Sequence, residues 1–476
     1  MANMKRRQYI SVVFALLIAI PGFAHQVSKP FIDILSTGKH PITVATKVED
    51  SSKIIKNPGN CPIEFLRRIG RAFSKYWPEN KASFLTATII FKENLGKPDF
   101  IRNLPEENLS ESQIEAANSL INSHSEKFKQ SEADFNPPSE AISMRFAVDV
   151  SEIQKNLKEL LEEKEPQNTD KKIPVIPLNE KDKIKEDILP VIESFSDFYG
   201  LLSISEKGIF GRINGYCEKG NLDQITSIKP LSLDEYIDEE PLIILAQTHS
   251  NQEPAMVMKK LESIPNMKVI NQLVASAGLD FEKDLLVNNY ALESILYVNL
   301  TPTGEKMIPD VRLVTMLPKM EHLISIIPNL KKLCMNTGVF ITNLESTIKD
   351  VDIVRLNHFL LSDYGIYISI IDKFCVISST QEGHIKALDF LNTPSKRVKN
   401  EKVKDCNFYF RIKTSDLNIQ LQQFLQSPLL RDKGIPPLTN MTFLKEMDDI
   451  VIKSKMNNKD IKIDLDIPFS IKEKDN

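Results

Sequence analysis

Glycine is scarce in this chain, 16 residues in 476, and its scarcity argues against a phosphate-cradling design. No G-x-G-x-x-G and no Walker loop occurs, nor is there a G-x-S-x-G elbow or an H-E-x-x-H pair. The seven histidines are scattered, so they outline no metal or acid–base motif. His249 is the most interesting, at a strand end beside Ser250, but Ser250 reads better as a helix cap than as a nucleophile. Five cysteines, Cys61, Cys217, Cys334, Cys375 and Cys406, form no C-x-x-C, and an odd number leaves at least one unbridged. Buried free thiols are expected; if one bridge exists, Cys334–Cys375 is the pair to test. Positive charge is also in short supply. Without residues 1–24 the chain holds 57 basic against 64 acidic residues, net −7, and nucleic acid is excluded as an expected partner. No catalytic, cofactor-binding or metal-ligating residue is nominated, and the chain reads as no enzyme.

Long apolar runs are absent except at the start. Lys5-Arg6-Arg7 precede the eleven-residue run Ile10–Ile20, and Pro21, Gly22 and Ala24 follow. That is the layout of a cleavable secretory signal over 1–24. The run is shorter than the roughly 20 residues that span hydrocarbon. The expectation is an exported bacterial protein, periplasmic or secreted, with no membrane span after cleavage.

What is present is a unit that occurs twice. Met144, Phe146, Val148 and Val150 alternate with Arg145 and Asp149 as a half-buried strand. Ser151 then offers a cap, Glu152 an acid in the first turn, and Ile153, Leu157, Leu160 and Leu161 a helical stripe. Phe408, Phe410 and Ile412, then Ser415, Asp416, Leu417, Leu421, Phe424 and Leu425, repeat the pattern 264 positions later. The repetition suggests a duplicated module.

Along the chain, 42–48 reads as a strand, 82–91 as β-rich and 165–183 as an exposed insertion rich in charge and proline. A hairpin over 199–217 turns at Glu206-Lys207-Gly208. Pro230–Pro241 marks a boundary; within it the acidic stretch Asp234–Glu240 lacks the spacing of a calcium loop and reads as a solvated turn. Residues 392–404 read as a basic linker, and 450–467 as a closing hairpin with Lys462, Asp464 and Asp466 on a wet side. Between these, Gly278-Leu279-Asp280-Phe281-Glu282-Lys283-Asp284-Leu285-Leu286 follows a helix and precedes alternating strands. This segment resembles a family of bacterial exported proteins of unknown function, over roughly 230–475. The resemblance implies a non-catalytic envelope protein built of sheet-and-helix modules. Asn288-Asn289-Tyr290-Ala291 stands where that family is expected to show an acidic-Gly step.

The expected fold is α+β, with antiparallel sheets, helices packed on one face and two similar halves, 25–225 and 226–476. The expected role is an exported non-enzymatic scaffold or protein-binding module contacting a partner in the envelope. The alternative is a periplasmic carrier of a hydrophobic ligand, with Ile366, Ile368, Ile370, Phe374 and Val376 as its inner face. A hydrolase with an unrecognised site ranks third.

Overall fold

The computed structural model describes residues 42–48, 90–91, 125–134, 142–148, 193–205, 207–217, 229–250, 267–300, 309–346, 351–358, 365–397, 400–425 and 447–469, with a few single positions between them. The signal segment 1–24, the insertion 165–183 and Cys61 lie outside the described residues. The chain divides into two compact units, residues 1–222 with 458–476, and residues 223–457.

The first unit contains β1 (Ile42–Val48), β2 (Ile90–Phe91), helix α1 (Ser125–Asp134), β3 (Ile142–Val148), β4 (Asp197–Ser205) and β5 (Gly208–Tyr216). The second unit runs β6 (Ile243–Thr248), α2 (Met267–Ser276), β7 (Glu293–Asn299), β8 (Asp310–Met316), α3 (Met320–Asn336) and β9 (Val339–Leu344). It continues with β10 (Ile353–His358), β11 (Ile366–Ile371), β12 (Phe374–Ser378) and α4 (Gln381–Asn392). β13 (Phe408–Ile412), α5 (Thr414–Leu425) and β14 (Ile450–Met456) complete it. The last strand, β15 (Asp460–Pro468), belongs to the first unit.

In the first unit the strands lie in the order β2-β1-β3-β4-β5-β15, antiparallel except for the β1–β2 pair. The closing strand was expected to stay with the second half. Instead it runs the full length of β5, from Asp460 opposite Tyr216 to Pro468 opposite Gly208. Two features of β5 make this possible. Gly215 leaves room for Ile461 and Phe198, each of which would sit 2.8 Å from an added Cβ. Arg212 faces Asp464 and donates from Nε to Oδ1 at 2.6 Å and from Nη2 to Oδ2 at 3.2 Å. Asp464 therefore sits in a nearly closed ion pair rather than on the wet face that its spacing with Asp466 implied; the two side chains are 9% and 13% exposed. Gly208 turns the β4–β5 hairpin with φ +150°, where a Cβ would strike the carbonyl of Ile467 at 2.5 Å.

The second unit's sheet has the order β14-β13-β6-β7-β8-β12-β11-β10-β9, with every pair antiparallel. One of its faces holds the core. Ile244, Ala246, Ile295, Tyr297, Val314, Val376, Ile371 and Tyr409 are buried there, with Ala387, Leu388 and Leu391 of α4 packed over them. Full burial of each large side chain contributes about 1.5–3 kcal/mol. Residues 231–237 also cover this face, with Leu233 fully buried. Residues 231–238 therefore pack as a flap, with Ile237 buried among the acidic residues, while Glu239 and Glu240 stay exposed as a solvated turn would have them. Within the segment read as a linker, 392–404, the described residues form a 3-10 turn at Pro394–Lys396, and Val403 has no exposed surface, nor has Cys406 just beyond.

Candidate functional site

The two faces of the second sheet differ in chemistry, and the alternation of β11 and β12 shows how. Ile371 pairs with Phe374 and Ser369 with Val376, while Ile370 pairs with Cys375 and Ile368 with Ile377. Tyr367, Ser369 and Ile371 therefore point to the α4 side together with Phe374 and Val376. Ile366, Ile368 and Ile370 belong to the other face, so the inner face inferred from sequence mixes two surfaces. The sequence IYISII is apolar on both parities; the polar Ser369 turns inward, where hydrogen-bond partners await it.

Those partners form the polar framework of the closed face. His384, on α4, has no exposed surface. Ser369 Oγ donates to the Asp352 carbonyl at 2.7 Å, so its oxygen is left to accept from His384 Nε2–H at 2.8 Å. Nδ1 then accepts from Ser378 Oγ at 3.1 Å. Burial pushes the imidazole down to about 4. This neutral Ser–His–Ser chain has the partners of a catalytic couple but no solvent-facing atom, and no acid orients it.

The flap over this face is fastened by buried charge. Glu293 (6% exposed) accepts from the Ser232 amide and hydroxyl at 2.8 and 2.6 Å and from the Leu233 amide at 3.1 Å. Arg312 lies between Asp310 (3.1 Å) and Asp238 (3.9 Å), and burial raises the Asp238 carboxyl above its ordinary range. Thr380 Oγ1 donates to Asp310 at 2.9 Å and caps α4 by accepting from the Gly383 amide. Arg411 reaches the carbonyls of Glu239 and Pro241 and the Asp449 carboxylate. Among the described residues, no group of three or more His, Cys, Asp or Glu is placed to hold a metal ion.

The opposite face is apolar without such a framework. Leu245, Leu296, Leu313, Ile368, Ile377 and Phe410 fall in register across six strands there, and each is half-buried. At one end of this face His249 Nε2 lies 2.8 Å from Ser294 Oγ, with its ring edge-on to Tyr290. The serine that meets His249 is thus Ser294, across the sheet, rather than its chain neighbour Ser250. Cross-strand register was the missing information. Ser294 is buried.

The G-L-D-x-x-K-D-L-L segment resolves into helix punctuation. Gly278 (φ +82°) closes α2, its amide bonding Ala275 and that of Leu279 bonding Val274, a Schellman stop. Asp280 opens a π-helical turn over Phe281–Val287 by accepting from the Lys283 amide, and its own amide donates to Asp284. Asp284 also lies 3.4 Å from His322 of α3. Serial capping accounts for the pattern without any chemistry. Ser415, read as a cap, instead falls inside α5, which starts at Thr414; the Thr414 hydroxyl donates to the Met447 and Asp448 carbonyls. Cys334 and Cys375 are free thiols, as are Cys217 and Cys406; burial pushes Cys375 up to about 11.

No helix among the described residues is long and apolar enough to cross a membrane. Compared with family models, with curated proteins and with solved structures, the chain finds no match.

Proposed function

We propose that this is an exported, non-enzymatic envelope protein whose second unit is a contact module, its half-open apolar sheet face receiving a protein partner. The carrying observation is that face: six aligned large apolar side chains, from Phe410 on β13 to Ile368 on β11, left half-buried. A contiguous apolar stripe that keeps part of its surface in solvent is the kind of feature that marks interaction sites. Six strands at about 4.8 Å spacing span roughly 24 Å, which is on the scale of a protein interface. Export is supported by the basic, apolar and small-residue layout of 1–24.

A duplicated origin accords with the neighbourhoods of the two repeated units. β3 lies between an earlier strand, β1, and the later strand β4. β13 lies between an earlier strand, β6, and the later strand β14. The resemblance to exported envelope proteins points the same way.

A second reading, a carrier of a hydrophobic ligand, draws on the same face, because lipid chains and apolar side chains bury the same surface. Pull-down from a native envelope fraction with the wild-type chain and with Leu313→Lys separates the readings when combined with native mass spectrometry. A protein recovered by wild type and lost with Leu313→Lys supports the contact module. A small apolar adduct on the gently purified chain, with no protein recovered, supports the carrier. The bare polypeptide mass with no specific partner defeats both.

A further inference from the structure

β9 ends the second unit's sheet. β10 takes one of its sides through six paired residues, Val339–Leu344 against His358–Ile353. Among the described residues no strand or loop hydrogen-bonds to the other side. Sheet edges in proteins that remain single are usually guarded by lysine, proline, a bulge or a cover, because a bare row of N–H and C=O groups templates another strand. From Asn336 to Leu344 this chain has no charge and no proline. Phe340 on the edge is 62% exposed, and Met335, just ahead of it at the end of α3, is 69% exposed.

We propose that β9 is a self-association edge, pairing antiparallel with β9 of a second copy about a two-fold axis normal to the sheet. Such an axis keeps each side chain on its own face, so only residues of the same parity meet. The register centred on Thr342 sets Phe340 against Leu344, Ile341 against Asn343 and Thr342 against its own copy, and such cross-strand pairs are the unit of sheet stability. Nothing of like charge is opposed, which is the condition a surface must meet to bind itself. The two-fold closes after two copies, leaving no further edge of this kind to grow from. A six-residue edge with Phe340 and Met335 beside it falls short of the roughly 800 Å² per partner of a standard interface, so the dimer is weak and concentration-dependent. This inference rests on β9 alone and stands or falls apart from the reading of the sheet face.

Sedimentation velocity of the purified chain over a rising concentration series tests it. The expected result is a shift of the wild type from monomer mass toward twice that mass. Thr342→Lys and Thr342→Glu, each with wild-type circular dichroism and melting temperature, are expected to stay monomeric alone because like charges then meet at the axis. Mixing the two is expected to restore the dimer. Asn343→Lys provides a second charged edge should either variant fail to fold. A wild type that remains monomeric at every concentration overturns the proposal, as do edge variants that dimerise as well as wild type. Growth beyond two copies equally overturns it, and so does association only when another protein is supplied.

Discussion

The closed and open faces of the second unit's sheet reverse the usual relation between burial and polarity. The buried face carries His384, Ser369, Arg312, Glu293, Asp310 and Arg411 amid its aliphatic residues, while the half-open face aligns leucine, isoleucine and phenylalanine. A buried polar group costs free energy unless its hydrogen bonds are met. The closed face meets most of them by using polar side chains as fasteners, each holding the flap 231–241 or the helix α4 in one place, while Tyr409 Oη and Arg411 Nε stay buried without a hydrogen-bond partner. The apolar side chains of the other face gain from burial in proportion to the area they lose to water, and each keeps a part of its surface in solvent. One face is thus held in a single internal arrangement by its hydrogen bonds, and the other is apolar.

Among the polar fasteners of the closed face, the largest expected break is Arg312→Met. It removes the cation between Asp310 and Asp238 and leaves two carboxylates buried in its place. Loss of one partner from a buried pair costs about 3–5 kcal/mol. Urea denaturation should show this as a lower midpoint, partly recovered when Asp310→Asn is added.

His384 gives the next largest effect, and it depends on pH. Its pKa falls from 6.5 in the unfolded chain to about 4 in the folded one, so the unfolded state takes up the proton first. Its contribution is therefore intact above pH 6.5 and is lost as pH falls from there toward 4, reaching roughly 3 kcal/mol at full depression. Chemical denaturation at steps across that window should show the decline, with a shallower slope in His384→Asn. An identical slope in the variant would remove His384 from the account.

In the first unit, Gly215→Ala forces the ends of Ile461 and Phe198 aside from 2.8 Å contacts. Such overpacking costs about 1–3 kcal/mol, measurable as a lower melting temperature. This glycine also shows where sequence stops being informative. The hairpin 197–216 was legible because alternating strands flank a turn with Gly208, information carried within a dozen residues. The pairing of β15 with β5 was not: Arg212 and Asp464 lie 252 positions apart, and nothing local in either names the other. The same holds for the faces of β11. Its inward parity is set by His384, fifteen residues on and in a different element, while the chain itself offers isoleucine on both parities. Carboxylate spacing on β15 suggested solvent, and a distant partner, Arg212, decided otherwise.

The smallest effect on stability is expected where the functional effect is largest. Leu313 and Val314 are chain neighbours on opposite faces of β8; Val314 is 2% exposed and Leu313 half-buried. Val314→Lys places an ammonium in the core with no partner, and the chain should fail to fold. Leu313→Lys can extend its charge to solvent along its own aliphatic stem, and should cost about 1 kcal/mol or less, in line with substitutions at partly exposed sites. If the open face is a contact surface, Leu313→Lys abolishes capture of the partner or apolar ligand while the melting temperature barely moves. If Leu313→Lys instead destabilises as strongly as Val314→Lys, both faces are core, and the asymmetry from which the function was argued does not exist in solution.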